Sequence, residues 1–205
     1  MSGTGAREWL IREDAGQPVL VALYLRQMLG IRSPDELPML RGIPPVPPTI
    51  GRTEAEQELL DNQWRDFWAM TVEPRGHRSP VPLDLVDGFD DLVALPVKGA
   101  EELRRAIIPY GPAAVAFAQS VNARYAKDVK AKPGVSYRAY ASAIAEYERQ
   151  VGRRAHAFEL NVQVLPLAQR GVWWIGALTI AVTDGLRGDV VAFDAAIHPI
   201  IAELA

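Results

Sequence analysis

The clearest alternation of apolar and polar positions lies near the end of the chain. Phe158, Leu160, Val162 and Val164 alternate with Glu159, Asn161 and Gln163. A strand of that pattern carries four apolar side chains on one face and a polar row on the other. After a turn at 166–171, Trp174, Leu178, Ile180 and Val182 keep the same parity along a second strand. Val190, Phe193, Ile197, Ile200, Ile201 and Leu204 then recur at helical spacing. The pattern predicts an antiparallel β-hairpin followed by a helix on its apolar face.

Upstream the periodicity is helical. Helices are expected over 6–15 and 18–29, the second opened by Pro18, whose missing N–H costs nothing in a first turn, and stopped by Gly30. Its face is Leu20, Leu23, Tyr24, Gln27 and Met28. Ser33 with Glu36 has the spacing of a capping box and predicts a short helical turn. The proline-rich run at 43–48, including the Pro44 to Pro48 linker, cannot be helical and reads as a stiff extended connector rather than a docking motif. Thr53 with Glu56 is a second capping box. It opens a helix to about Val72 whose stripe is Leu60, Trp64, Phe67, Trp68 and Thr71, aromatics best read as core.

Residues 73–96 read as a long ordered loop with one short strand at 91–95. Helices follow at 100–108 and at 112–130, the latter with Val115, Ala118, Asn122, Tyr125 and Val129 in register, and Pro133-Gly134 stops it. Ser136 caps the next, whose stripe is Tyr137, Tyr140, Ala141, Ile144, Tyr147 and Val151. The fold class is therefore α+β: a single domain over 1–205, with a mostly helical part at about 1–151 and a C-terminal hairpin–helix unit at about 153–205. Two strands are marginal alone, so a third is expected from 91–95 or from a second subunit.

Composition narrows the function classes. A chain of 205 residues buries roughly 70% of its unfolded surface and needs no metal or disulfide staple. With 49% apolar and 23% charged residues, general disorder is excluded. A net charge of −3 argues against a nucleic-acid surface spread over the fold. The absence of cysteine removes disulfides, thiolate metal sites and cysteine nucleophiles together. No uncharged run reaches the ~20 residues of a membrane span, and the N-terminus lacks the order of a signal peptide. A soluble, cytoplasmic protein is expected. Only four of the 22 basic residues are lysine and alanine is abundant, which fits a GC-rich bacterial genome.

Candidate chemistry is sparse. His77, His156 and His198 share no spacing that would bring two imidazoles to one metal. Asp84, Asp87, Asp90 and Asp91 surround Gly88, but Val86 and Phe89 fall where a calcium loop needs ligands, so aspartates capping turns explain them. Gly185 and Gly188 join a strand to a helix, where N–H groups can meet a phosphate; flanking Asp184 and Asp189 would repel one. No nucleophile-elbow, zincin, Rossmann or Walker pattern occurs. No catalytic residue, metal ligand or cofactor is expected. The exception in interest is the polar row Glu159, Asn161 and Gln163, which Thr179 and Thr183 would join from the second strand. Left open, it is ordinary solvated sheet; covered, it becomes a small-molecule pocket.

The segments 8–13, 158–167 and 173–176 resemble a group of small uncharacterised bacterial proteins of about this length, some labelled zinc-binding alcohol dehydrogenase. The resemblance implies no site here, because neither a Rossmann fingerprint nor a cysteine ligand is present. The functional expectation is a non-enzymatic interaction or regulatory protein that self-associates as a homodimer through the C-terminal hairpin, with neither nucleic acid nor membrane as partner. The alternative is a small enzyme or small-molecule-binding protein using Glu159, Asn161 and Gln163.

Overall fold

A computed structural model describes residues 9–44, 52–132 and 135–205. The chain opens with strand β1 (Leu10–Asp14) and helix α1 (Gln17–Met28), then α2 (Glu54–Val72). Strands β2 (Leu83–Leu85) and β3 (Ala94–Pro96) form a small ribbon. Helix α3 (Glu101–Ile107) leads through a tight 3₁₀ turn into α4 (Gly111–Ala131), followed by α5 (Val135–Val151). The C-terminal part comprises β4 (Glu159–Leu165), β5 (Val172–Gly176), β6 (Thr179–Thr183), the single turn α6 (Asp184–Arg187) and α7 (Val190–Leu204).

The fold is α+β, but the sheet is not the expected hairpin. Four strands run in the order β1-β4-β6-β5; β1 and β4 are parallel, β4 and β6 are parallel, and only β5 and β6 are antiparallel. The stretch from Val172 to Val182, expected as one strand, instead forms the hairpin of β5 and β6, turning at Ala177-Leu178. Of its expected apolar face, Ile180 and Val182 are buried, whereas Trp174 and Leu178 are exposed. The extra strand of this sheet does not come from 91–95, whose end pairs with β2 in the separate ribbon. It comes from β1, in the segment 6–15 expected as helix, of which 6–8 lie outside the described residues. Ile11 packs on the core side and Leu10 N–H donates to the Phe158 carbonyl at 2.9 Å, so the segment continues the ladder of β4.

Both faces of the sheet are covered. On one, Leu160, Val162, Ile180 and Val182 pack with Phe193, Ile197 and Ile201 of α7 and with Tyr140 and Ile144 of α5. On the other, Leu165, Ile175 and Ala181 join a larger core built from α1, α2, α3 and α4. Helix α1 is buried nearly all round, from Val19 to Leu25, rather than along one stripe. The capping box at Thr53 and Glu56 forms as its spacing predicts, and Leu60, Trp64, Phe67 and Trp68 are core.

The Ser33–Glu36 turn is not helical. Its peptide before Pro34 is cis, and buried Arg26 takes the carbonyls of Arg32, Pro34 and Pro38 at 2.7, 2.8 and 3.4 Å. The guanidinium thus satisfies these carbonyls, and the Leu37 N–H also donates to that of Pro34 at 3.2 Å. The linker beyond Pro44, the Pro133-Gly134 stop and the side chain of Ser136 lie outside the described residues.

The second core contains one ionic group. Glu13, on the same face of β1 as Ile11, receives Arg187 of α6 through Nε at 3.1 Å and Nη2 at 2.9 Å. Tyr140 of α5 donates to its other carboxylate oxygen at 2.8 Å, and Tyr125 of α4 donates to the Glu13 carbonyl at 3.0 Å. Both charged side chains are about nine-tenths buried. Burial, then the adjacent Glu13 carboxylate, pushes the Tyr125 and Tyr140 hydroxyls well above the usual phenol range, so both remain donors. Removing one partner strands the other in the interior. Arg187→Met should therefore cost about 3–5 kcal/mol in denaturant unfolding. Adding Glu13→Gln should recover part of that loss, because paired deletions are not additive within one network; an additive double variant would show that the pair acts independently.

Candidate functional site

The sheet register brings the polar row together. Arg12 of β1 stands opposite Asn161 of β4, which stands opposite Thr179 of β6; Asp14 stands opposite Gln163, which stands opposite Ala181. Side chains at paired positions share a face, so Arg12, Asp14, Asn161, Gln163 and Thr179 lie on one side, with Glu159 one step before. The apolar end of this face is under the large core. The polar end is met by the last turn of α2 and the residues after it, Thr71 to Gly76. Between them lies a pocket of about 560 Å³, within the range of small-molecule sites.

Two close approaches shape it. Gly16 donates its N–H to Gln163 Oε1 at 2.9 Å, and a Cβ on Gly16 would come within 2.8 Å of that oxygen. Glu73, just past the end of α2, accepts the N–H of Leu178 at 2.9 Å, capping the β5–β6 turn. A Cβ on Gly176 would lie only 2.6 Å from the Glu73 carboxyl carbon. A side chain at either position would push the end of Gln163 or Glu73 out of its present place in the pocket wall.

At the mouth, Glu159 Oε2 accepts from Arg12 Nη1 at 2.9 Å and lies 3.7 Å from Arg75 Nη1. The Arg12 hydrogen bond and charge, with Arg75 behind them, hold the Glu159 carboxyl below the usual carboxylate range. Asp14, exposed at the end of β1, accepts the Ala15 N–H at 2.8 Å. Thr179 is 1% exposed, and its hydroxyl is buried with no hydrogen-bond partner. Buried hydroxyls are ordinarily bonded; this one is stranded by close packing beside the pocket lining. The walls are Val19, Val72, Pro74 and Leu178.

The structure thus unites Glu159, Asn161 and Gln163 with Thr179, as expected of the row. It excludes Thr183, whose hydroxyl is spent at the far end of β6 on the Gln169 carbonyl at 2.7 Å. Arg12, Asp14, Glu73 and Arg75 were not legible as pocket residues. The one signal is Glu73, a carboxylate at the negative end of a helix, where such a charge is disfavoured unless something else holds it. His77 lies 3.7 Å from Glu73. His156 is outside β4, its N–H bonded to the Ala205 carbonyl, and His198 faces Asp194 at 3.5 Å. Among the described residues no group of three or more histidine or acidic side chains is placed to hold a metal ion, and no helix is long and apolar enough to cross a membrane.

No known family, curated protein or solved structure matches the chain. The pocket geometry is what bears on function. Arg12→Ala should move the Glu159 carboxyl titration to higher pH, measured by carbon-detected NMR. An unchanged titration would show that Arg12 does not hold this carboxylate.

Proposed function

We propose that this is a non-enzymatic binding protein whose polar sheet face holds a small molecule. The observation that carries the reading is the covering of Glu159, Asn161 and Gln163 by the end of α2, which turns a solvated strand face into a pocket with polar side chains along one wall. The contents suit binding better than catalysis. Its carboxylates are tied to arginine or to backbone N–H groups, and no nucleophile stands beside a base. A ligand at one hundred times its dissociation constant should stabilise the protein by about 2.7 kcal/mol. Screening a metabolite library by thermal shift should therefore give stabilising ligands, and Asn161→Phe, which fills the floor, should abolish their effect while folding normally. Ligands that stabilise the variant equally would place binding elsewhere.

A second reading rests on β5. This strand ends the sheet, and Val172 to Gly176 carries neither a charge nor a proline. Natural edge strands usually carry such defences against pairing. Trp174 is 37% exposed there. Association of two copies edge to edge through β5 would complete the backbone pairing; β6 is already paired on both sides and takes no part. Sedimentation equilibrium should show a dimer of the 22.5 kDa chain, and Trp174→Lys should return it to monomer. A monomeric parent protein refutes the dimer, and a dimer indifferent to Trp174→Lys refutes this interface.

A further inference from the structure

We infer that the ligand of this pocket is a small organic ammonium with an apolar body, an inference that rests on the small-molecule reading above. The charge distribution is the first reason. The pocket is lined by three carboxylates, Asp14, Glu73 and Glu159, against two guanidiniums, Arg12 and Arg75. Both guanidiniums converge on Glu159 at the mouth. Asp14 and Glu73 receive one backbone N–H each. The base recorded near either is His77 at 3.7 Å from Glu73, which is charged only when protonated. Negative charge is therefore left over, sheltered at Glu73, which is 19% exposed, and at the rim on the exposed Asp14.

The second reason is the floor. It is lined by the half-buried Asn161 and Gln163, with the buried Thr179 beside Asn161 in the register. The Asn161 carboxamide oxygen accepts hydrogen bonds, as do the remaining carboxylate lone pairs. An ammonium brings three donors and no acceptor, which matches a site rich in acceptors. A carboxylate or phosphate ligand would meet the uncompensated charge of Glu73 and Asp14 and cations already committed to Glu159, with only the Asn161 and Gln163 amide groups to donate to it. Val19, Val72, Pro74 and Leu178 supply an apolar wall for the rest of the molecule.

Three probes of one shape separate the charge from the body: cyclohexylmethylamine, cyclohexylmethanol and cyclohexanecarboxylate. Each is titrated into the full chain while the backbone amides of Ala15, Gly16 and Leu178 are followed by nitrogen-proton NMR. The amine should shift these amides with an affinity about tenfold above that of the alcohol, and the carboxylate should not shift them. Asp14→Asn and Glu73→Gln should each weaken the amine and leave the alcohol unchanged. Asp14→Asn keeps the test open should Glu73→Gln disturb the β5–β6 turn. An alcohol or carboxylate that binds as tightly as the amine at these amides overturns the ammonium while leaving the pocket reading intact. Amine binding indifferent to both variants also overturns it. Silence of the pocket amides with all three probes removes the pocket reading and the ammonium with it.

Discussion

The buried Glu13–Arg187 pair is the constraint on which the rest of the architecture turns. Glu13 sits near the end of an edge strand, yet its partners come from three helices: Tyr125 from α4, Tyr140 from α5 and Arg187 from α6. Helix α4 belongs to the core on one face of the sheet and α5 to the core on the other. One carboxylate therefore ties both helical layers to the same strand. Such a pair is weak evidence for net stability, since desolvation offsets much of its attraction. Its consequence is positional. With β1 held in register by Glu13, the next residue, Asp14, is delivered to the opposite face and into the pocket.

The same carboxylate explains why β1 was illegible in the sequence. Alternation along Trp9, Ile11 and Glu13 breaks at a charged residue where an apolar one is required, so the segment does not read as a strand. Arg187, which makes the charge acceptable, lies 174 positions away. By contrast Leu160, Val162, Ile180 and Val182 are buried as the alternation demands, because nothing distant is needed to make sense of them. The helices α2 and α4 were equally legible, each marked by local signals at its start. The merging of β5 with β6 has a local cause. Ala177 and Leu178 lack the glycine or asparagine signature of a tight hairpin, and the even-numbered parity passes through the turn unbroken. What replaces that turn chemistry is the Glu73 carboxylate on the Leu178 N–H, another contact between distant parts of the chain.

The polar row was legible as residues but not as a site. Alternation alone put Glu159, Asn161 and Gln163 on one face; whether that face met water or protein depended on where α2 ended. Helix α2 stops at Val72, and the chain turns at once, with Gly76 and His77 donating N–H groups to the Glu73 carbonyl. A helix one turn longer would have carried its axis past the sheet, whereas this tight reversal leaves Pro74, Arg75 and Gly76 over the polar strand ends.

The resulting division of one sheet face has a physical logic. Beyond Gln163 the face becomes Leu165, Ala181 and Ile175, and helices close over it without a gap. Before Gln163 it is polar, and close packing there would have stranded Asn161 and Gln163 as Thr179 is now stranded. An open pocket is the cheaper arrangement, because solvent or a ligand can complete the hydrogen bonds that the protein does not. Gln163 marks the boundary: its carbonyl oxygen serves the fold by receiving Gly16, while its amide group is left to the pocket. The stability of the sheet and the capacity of the pocket thus meet in one side chain. The same holds for Glu73, which caps a turn with one oxygen and charges the pocket with the other. The wall of the site is built from contacts the fold already requires.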